Sequence, residues 1–306
     1  MPDAERQWSG KTQGGQFGQR FLVGLFRRVR VTVVYAVLPV IIPFYLVFGH
    51  KGYHAIYGYF RHVWGYGTWR SFWLTVKNHI VFGKVVLDRF AVLAGRADQF
   101  HFEVDGHEYF DRYLDTDKPC IIVGGHVGNL ELAGHCMRQD KKRVNGVVFA
   151  GESANLQEQR QESLKQSSVH MIPIREDMSH IFAIKEAIDR GEFVIVACDR
   201  TMGNTQMETI NLLGHPAGFP IAMFKMAVRS AVDMLAFFVV KGKGTRYKVY
   251  VRPLNVAQEA VTLHDKVRSL MEQYVGVMES VLKLHPEQWF NYYDFWGLDT
   301  PVVSAR

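Results

Sequence analysis

From residue 100 onward, short runs rich in β-branched and aromatic residues alternate with longer runs of helical period, and no other feature restricts the fold as much. The strand candidates are Phe100–Val104, Cys120–Val123, Val144–Phe149, Val169–Ile174, Phe193–Cys198, Met234–Val240 and Tyr247–Val251. Strands separated by helix-length segments need crossover connections, so the expected fold is α/β: a mixed, largely parallel sheet flanked by helices. Ser179 to Arg190 is helical in period and closes at Gly191, and Pro220 stands where a first helical turn tolerates it. Thr262 and Asp265 have capping-box-like spacing ahead of Val267, Leu270, Met271, Tyr274, Met278 and Val281, which recur at three- and four-residue steps.

The composition breaks near residue 98, which divides the chain into an N-terminal helical, membrane-anchoring region (1–98) and an α/β domain (99–306). Val31 to Phe48 carries no charge and would extend about 27 Å as a helix, marginal for a bilayer span. Pro39 and Pro43 kink it; Arg27, Arg28 and Arg30 precede it, and Lys51, Arg61 and Arg70 follow. A span, a helix lying in the membrane plane and a buried core helix all fit this pattern. The aromatics from Tyr53 to Trp73, mixed with His and Arg, suit a headgroup boundary or ordinary helix packing. "SGKT" at Ser9–Thr12 lacks the first glycine and the preceding strand of a phosphate loop.

With 48% hydrophobic and 22% charged residues the chain is an ordinary globular sequence, and its formal charge of +6 suits an anionic partner. Its three cysteines, Cys120, Cys136 and Cys198, form no CxxC pair, which argues against a disulfide framework or a cysteine-rich zinc site and for a reducing, cytoplasmic-side environment. The aromatics cluster with apolar runs rather than along a basic groove, so nucleic acid is not the expected partner.

The stretch "CIIVGGHVGNLE" (Cys120–Glu131) concentrates the candidate chemistry. The carboxyl ends of parallel strands face the ligand crevice, and His126 follows such an end directly. Gly124 and Gly125 permit a tight turn, while Gly128 and Asn129 suit the start of a helix. His126 and Glu131 would point about 140° apart on one continuous helix, so they meet only if the histidine lies in the turn. There the carboxylate would fix the tautomer of the imidazole, making His126 a general base. The plainer alternative is a histidine capping a helix and a glutamate satisfying its dipole. Metal binding by Glu131 and His135, four apart, lacks the HExxH arrangement; a relay through Cys198, beside Asp199, competes with a buried apolar role for that thiol.

"HVGNLE" matches the H-x4-[DE] pattern of glycerolipid-type acyltransferases, and its surroundings resemble the bacterial lipid A late acyltransferases, the lauroyl and myristoyl transferases. "GEFVIVACDRTMG" (191–203), "NLLGHPAGFPIAMFKMA" (211–227) and "HPEQWFNYYDFW" (285–296) are similar to three further segments of that family, in the same order. The resemblance implies a glycerolipid acyltransferase-like fold with an N-terminal membrane-associated helical segment. It also implies transfer of a fatty acyl group from acyl carrier protein, or acyl-CoA, to a hydroxyl or amine of a membrane lipid, on the cytoplasmic face of the bacterial inner membrane. No metal or cofactor is implied. His126 carries over as general base and Glu131 as its partner; Asn129, Asp199 and Arg200 carry over as residues lining the site, and Arg160 or Arg175 as a cation for the thioester oxygen or an acceptor phosphate. Lys141, Lys142 and Arg143, or Lys241, Lys243 and Arg246, would dock an acidic carrier protein. Asp199-Arg200-Thr201-Met202-Gly203 stands where the family tends to show Asp-Gln-Asp, which admits an amino-acid lipid or polyene headgroup in place of lipid A. A non-catalytic lipid or carrier-protein binding module on the same fold is the reading from another class.

Overall fold

The computed structural model describes residues 16–48, 50–136, 141–149, 169–175, 177–200 and 206–297. Helices α1 (Gln16–Phe26), α2 (Val31–Val34), α3 (Leu38–Phe48), α4 (His50–Gly58) and α5 (Thr68–Leu93) come first. The α/β part follows as β1 (His101–Asp105), α6 (His107–Leu114), β2 (Cys120–Gly124), α7 (Ala133–Cys136), β3 (Val144–Phe149) and β4 (Val169–Ile174). It continues through α8 (Ser179–Asp189), β5 (Phe193–Ala197), β6 (Met207–Leu212), β7 (His215–Pro220), α9 (Ala222–Ser230), β8 (Asp233–Lys241), β9 (Arg246–Leu254) and α10 (Leu263–Leu284).

All seven expected strands join one sheet, in the order β1-β9-β8-β2-β5-β3-β4, parallel throughout except for the antiparallel pair β8–β9. Alternation along the strands separates two apolar layers. Ile121, Val123, Val194, Val196, Ala236 and Phe238 face α9 and α10. Cys120, Ile122, Phe193, Ile195, Leu235 and Phe237 belong to the layer that includes α1, α3, α5 and α6. The hairpin β6–β7 was not expected. Its two-residue turn, Leu213-Gly214, has both φ values positive, and β7 ends on Pro220, so α9 opens at Ala222 rather than at the proline.

The apolar segment from Val31 to Phe48 is not one long helix. A 3-10 turn at Tyr35–Val37 separates α2 from α3, because the ring of Pro39 collides with the carbonyl four residues back, at Tyr35. Among the described residues no helix is long and apolar enough to cross a membrane. Leu38 and Ile42 are buried against α5, where Gly83 admits them: a β-carbon there would lie 2.9 Å from Leu38. Val33, Val37, Val40 and Phe44, with Ile41, form the opposite face and are exposed. The aromatic run divides likewise: Tyr59 and Phe60 are core, whereas Trp69 and Trp73 on α5 are exposed.

A buried polar cluster ties these helices to the sheet. Asp88 of α5 pairs with Lys241 of β8 at 2.5 Å and accepts hydrogen bonds from the Tyr35 and Tyr247 hydroxyls, while Lys241 also donates to the Tyr35 hydroxyl and the Gly244 carbonyl. Lys241 is therefore unavailable to a docking partner. The same correction applies to Lys142, which is buried and donates to the carbonyls of Tyr113, Thr116 and Lys118. Lys141 pairs with Asp115; Arg143, Lys243 and Arg246 are exposed.

Candidate active site

The register of β2 on β5 creates the site. Gly124 stands opposite Ala197, so two residues further on, past both carboxyl ends, His126 and Asp199 face each other. Asp199 Oδ1 lies 2.7 Å from the imidazole Nδ1; its Oδ2 accepts the backbone N–H of His126 at 2.7 Å and the indole N–H of Trp289 at 3.1 Å. The approach requires a bare Cα at residue 125, since a β-carbon there would lie 3.0 Å from the Asp199 carboxyl. Gly128, with φ +71°, lets the loop pass against the Val239 carbonyl, which a side chain would meet at 2.0 Å. Tyr274 of α10 fixes the turn by donating to the Gly124 carbonyl at 2.8 Å.

The C-terminal motif clamps this loop. Gly128 donates to the Gln288 carbonyl, Phe290 donates to the His126 carbonyl, and Val127 bridges Trp289. Asn78 of α5, fully buried, donates to the carbonyls of Glu287 and Trp289 and accepts from the Tyr292 hydroxyl. Gln288 brackets the Lys241 backbone with two hydrogen bonds of 2.8 Å. Base and carboxylate are thus held by groups from the sheet, α5 and the closing segment together.

Burial favours neutral Asp199, but His126, its hydrogen bonds and Arg200 outweigh that and hold the carboxyl down at about 2. An ionised carboxylate accepts only, so Nδ1 carries the proton and the lone pair of the imidazole is on Nε2, for which the described residues provide no partner. Burial lowers the His126 pKa, Asp199 raises it and Arg200 lowers it, with a net downward direction. At neutral pH the ring is a neutral base.

The remaining expected residues distribute unequally. Glu131 pairs with Arg89 of α5, not through a hydrogen bond with His126; its carboxylate reaches the imidazole only as a more distant negative field. The physical reason is local: Leu130–Leu132 is a 3-10 turn that continues into α7, and its direction turns Glu131 toward α5 while the strand register offers Asp199 to the histidine. Asn129 is buried away from the imidazole, donating to the Tyr247 hydroxyl at 3.4 Å. Arg200 lies beside the pair, with Nε on Asn291 Oδ1 at 2.7 Å and another guanidinium nitrogen on the Phe290 carbonyl at 2.6 Å. Arg175 is exposed at the end of β4; Arg160 and Thr201–Gly203 lie outside the described residues. Cys198 is buried and burial raises its thiol pKa strongly, which disqualifies it as a relay. Trp289, Tyr274, Asn78 and Arg89 carry no functional signal in the sequence: Trp289 falls within the closing family-like segment, and Tyr274 reads only as part of the apolar stripe of α10.

The profile of the family described as bacterial lipid A biosynthesis acyltransferase matches residues 87–296, more than half the chain. The chain belongs to that family. Comparison with curated proteins returns no match. The family match extends from the last turns of α5 to the closing Trp296, so it contains Arg89, Glu131, the His126–Asp199 pair and Trp289. Membership supports an acyltransferase of the lipid A type in general.

Proposed function

We propose that the chain is a membrane-associated acyltransferase that moves a fatty acyl group from the thioester of acyl carrier protein, or of coenzyme A, to a hydroxyl or amine of a lipid acceptor. The observation that carries the reading is the hydrogen bond between Nδ1 of His126 and Asp199, which leaves Nε2 as a base at the carboxyl edge of the sheet. In this reaction Nε2 removes the acceptor's proton as the acceptor oxygen or nitrogen bonds to the thioester carbonyl carbon. Negative charge gathers on the carbonyl oxygen, and Arg200 supplies a nearby cation to offset it. Collapse breaks the carbon–sulfur bond, and the departing thiolate takes the proton back from the imidazolium. Asp199 stabilises that imidazolium while it exists.

The exposed face of Val33, Val37, Val40, Ile41 and Phe44, preceded by exposed Arg27, Arg28 and Arg30, supports an in-plane association with an anionic lipid surface. The same orientation suits the cytoplasmic face of a bacterial inner membrane. Arg143, Lys243 and Arg246 remain as exposed cations for an acidic carrier protein.

The test uses the full chain on anionic vesicles with a fatty acyl thioester of acyl carrier protein, reading the thiol released. The expected result is slow thioester loss by the parent protein and none by His126→Ala, with vesicle flotation equal for both. Equal rates in the two proteins would instead favour a non-catalytic binding module. Lipid mass spectrometry of cells lacking the protein would name the acceptor by the acylated species that disappears.

A further inference from the structure

Asp199 is fully buried, so the contacts that stabilise its charge come from the protein rather than from solvent. Three donors share its two oxygens. Oδ1 meets Nδ1 of His126 at 2.7 Å, while Oδ2 takes the His126 backbone N–H at 2.7 Å and the Trp289 indole N–H at 3.1 Å. Two donors on one oxygen fix the plane of the carboxylate and leave the other oxygen for the ring. Of the three, the indole alone comes from a residue other than His126.

Trp289 is held for that contact through both its ring and its backbone. The ring is buried, and it packs edge-on against Tyr59, Phe295 and Trp296 with centroids 5.2, 4.9 and 5.1 Å away. Its backbone bridges Val127, its carbonyl accepts from Asn78 of α5 at 2.9 Å, and the following N–H, of Phe290, donates to the His126 carbonyl at 2.9 Å. The segment that carries the donor is therefore the one that clamps the histidine loop, and the two keep register with each other. An indole N–H also suits a pair that handles a proton. It donates without accepting, and it brings no charge to oppose the imidazolium, as a lysine or arginine in its place would.

We propose that Trp289 is a positioning residue for the base: its indole N–H fixes the Asp199 carboxylate with Oδ1 on Nδ1, and thereby sets how readily Nε2 of His126 takes a proton. The word base rests on the acyltransferase reading; the hold on the proton stands apart from it. The direction follows from the carboxylate. Donation by the indole stabilises its negative charge, so without that bond the carboxylate binds Nδ1–H and the imidazolium more strongly, and His126 takes a proton at higher pH. Arg200, after β5, and Glu131, in the 3-10 turn, also act on the imidazole, lowering and raising its proton affinity, and a change at residue 289 leaves both in place. Cys198, Tyr274 of α10 and Tyr293 of the closing segment face the pair as well, and burial keeps the thiol and both phenols neutral where His126 titrates.

The experiment uses the full chain in lipid nanodiscs with isotope-labelled histidine rings, following the His126 signal by NMR against pH; His126→Ala identifies that signal. Two changes are compared, Trp289→Phe and site-specific benzothienylalanine at residue 289, which keeps the shape of the indole and puts sulfur where the N–H was. In both, the His126 titration should move upward by about 0.5–1 pH unit, and the acid limb of kcat/KM for thioester cleavage should move with it. The benzothienyl protein should also keep the parent's thermal midpoint within a few degrees, which separates the lost hydrogen bond from lost packing. A parental His126 titration in the benzothienyl protein, or a fall in the plateau with no movement of the titration, would overturn the proposal. The two readings fail separately: a shifted titration in a chain whose parent cleaves no thioester would defeat the acyltransferase reading alone, and an unshifted one in a chain whose parent cleaves it would defeat the role of Trp289 alone.

Discussion

Asp199 and Asp88 are both fully buried, and each meets a basic partner, yet they have opposite characters. Around Asp88 the circle is closed: ammonium, two phenols and a backbone carbonyl satisfy one another, and burial still pushes the carboxyl up against the pull of Lys241. Around Asp199 the circle is left open. Its oxygens are filled by a backbone N–H, an indole and Nδ1, but the imidazole's second nitrogen has no partner among the described residues. A saturated buried pair fixes α5 to the sheet; an unsaturated one at a strand end can accept a proton. The same residue classes become scaffold or reagent according to whether the last valence is used.

The largest effect should come from Asp199→Asn. The single amide oxygen is drawn to the two N–H donors on the Oδ2 side, which turns the N–H₂ toward Nδ1 and forces the proton of the ring onto Nε2. With the wrong tautomer the rate of thioester cleavage should fall by about 10³–10⁴, and nitrogen NMR of the imidazole should show the inversion. Normal activity would remove Asp199 from the mechanism. The closed pair should respond the other way. Lys241→Met leaves a buried charge behind and should cost about 3–5 kcal/mol in denaturant unfolding, while cleavage per folded molecule changes little. Adding Asp88→Asn should recover part of that loss. A catalytic defect as large as that of Asp199→Asn would break the contrast. Gly125→Ala is intermediate: its methyl must move the Asp199 carboxyl by a few tenths of an ångström, and about a tenfold loss of turnover at nearly unchanged stability is expected.

How much of this was legible in the sequence depends on whether the determining contact is local. The seven sheet strands were readable because each is a run of β-branched and aromatic residues, buried on both faces in the central strands β2 and β5. The hairpin β6–β7 was not: Leu213 takes a left-handed conformation that its side chain disfavours, and two prolines in β7 argue against a strand. His126 could be found from its place after a strand. Its partner could not, because sequence spacing favours the carboxylate five residues away, whereas parallel register delivers one 73 residues away. Lys142 and Lys241 look like surface charge in a composition count; only packing reveals that carbonyls and Asp88 consume them. The unpartnered stripe of α2 and α3 was readable as apolar, but which side of it would face α5 depended on Gly83.

Glu131 provides the finest discrimination between an orienting carboxylate and a distant one. Its negative charge raises the His126 pKa from a distance, and Arg89 holds it where no hydrogen bond to the ring is needed for that effect. In the proposed mechanism the base acts in its neutral form, so thioester cleavage is expected to fall as pH drops through the pKa of His126, which burial moves below its ordinary value of 6.5. Replacing Glu131 by Gln removes a raising influence; the imidazole then stays neutral to lower pH, and the acid limb of kcat/KM should move to lower pH while the plateau falls by less than about tenfold. Asp199→Asn, by contrast, should collapse the plateau itself, because it changes which nitrogen bears the proton rather than how tightly the proton is held. A plateau loss in Glu131→Gln equal to that of Asp199→Asn, with no movement of the limb, would mean that Glu131 leaves Arg89 during turnover and takes over the orientation of the ring.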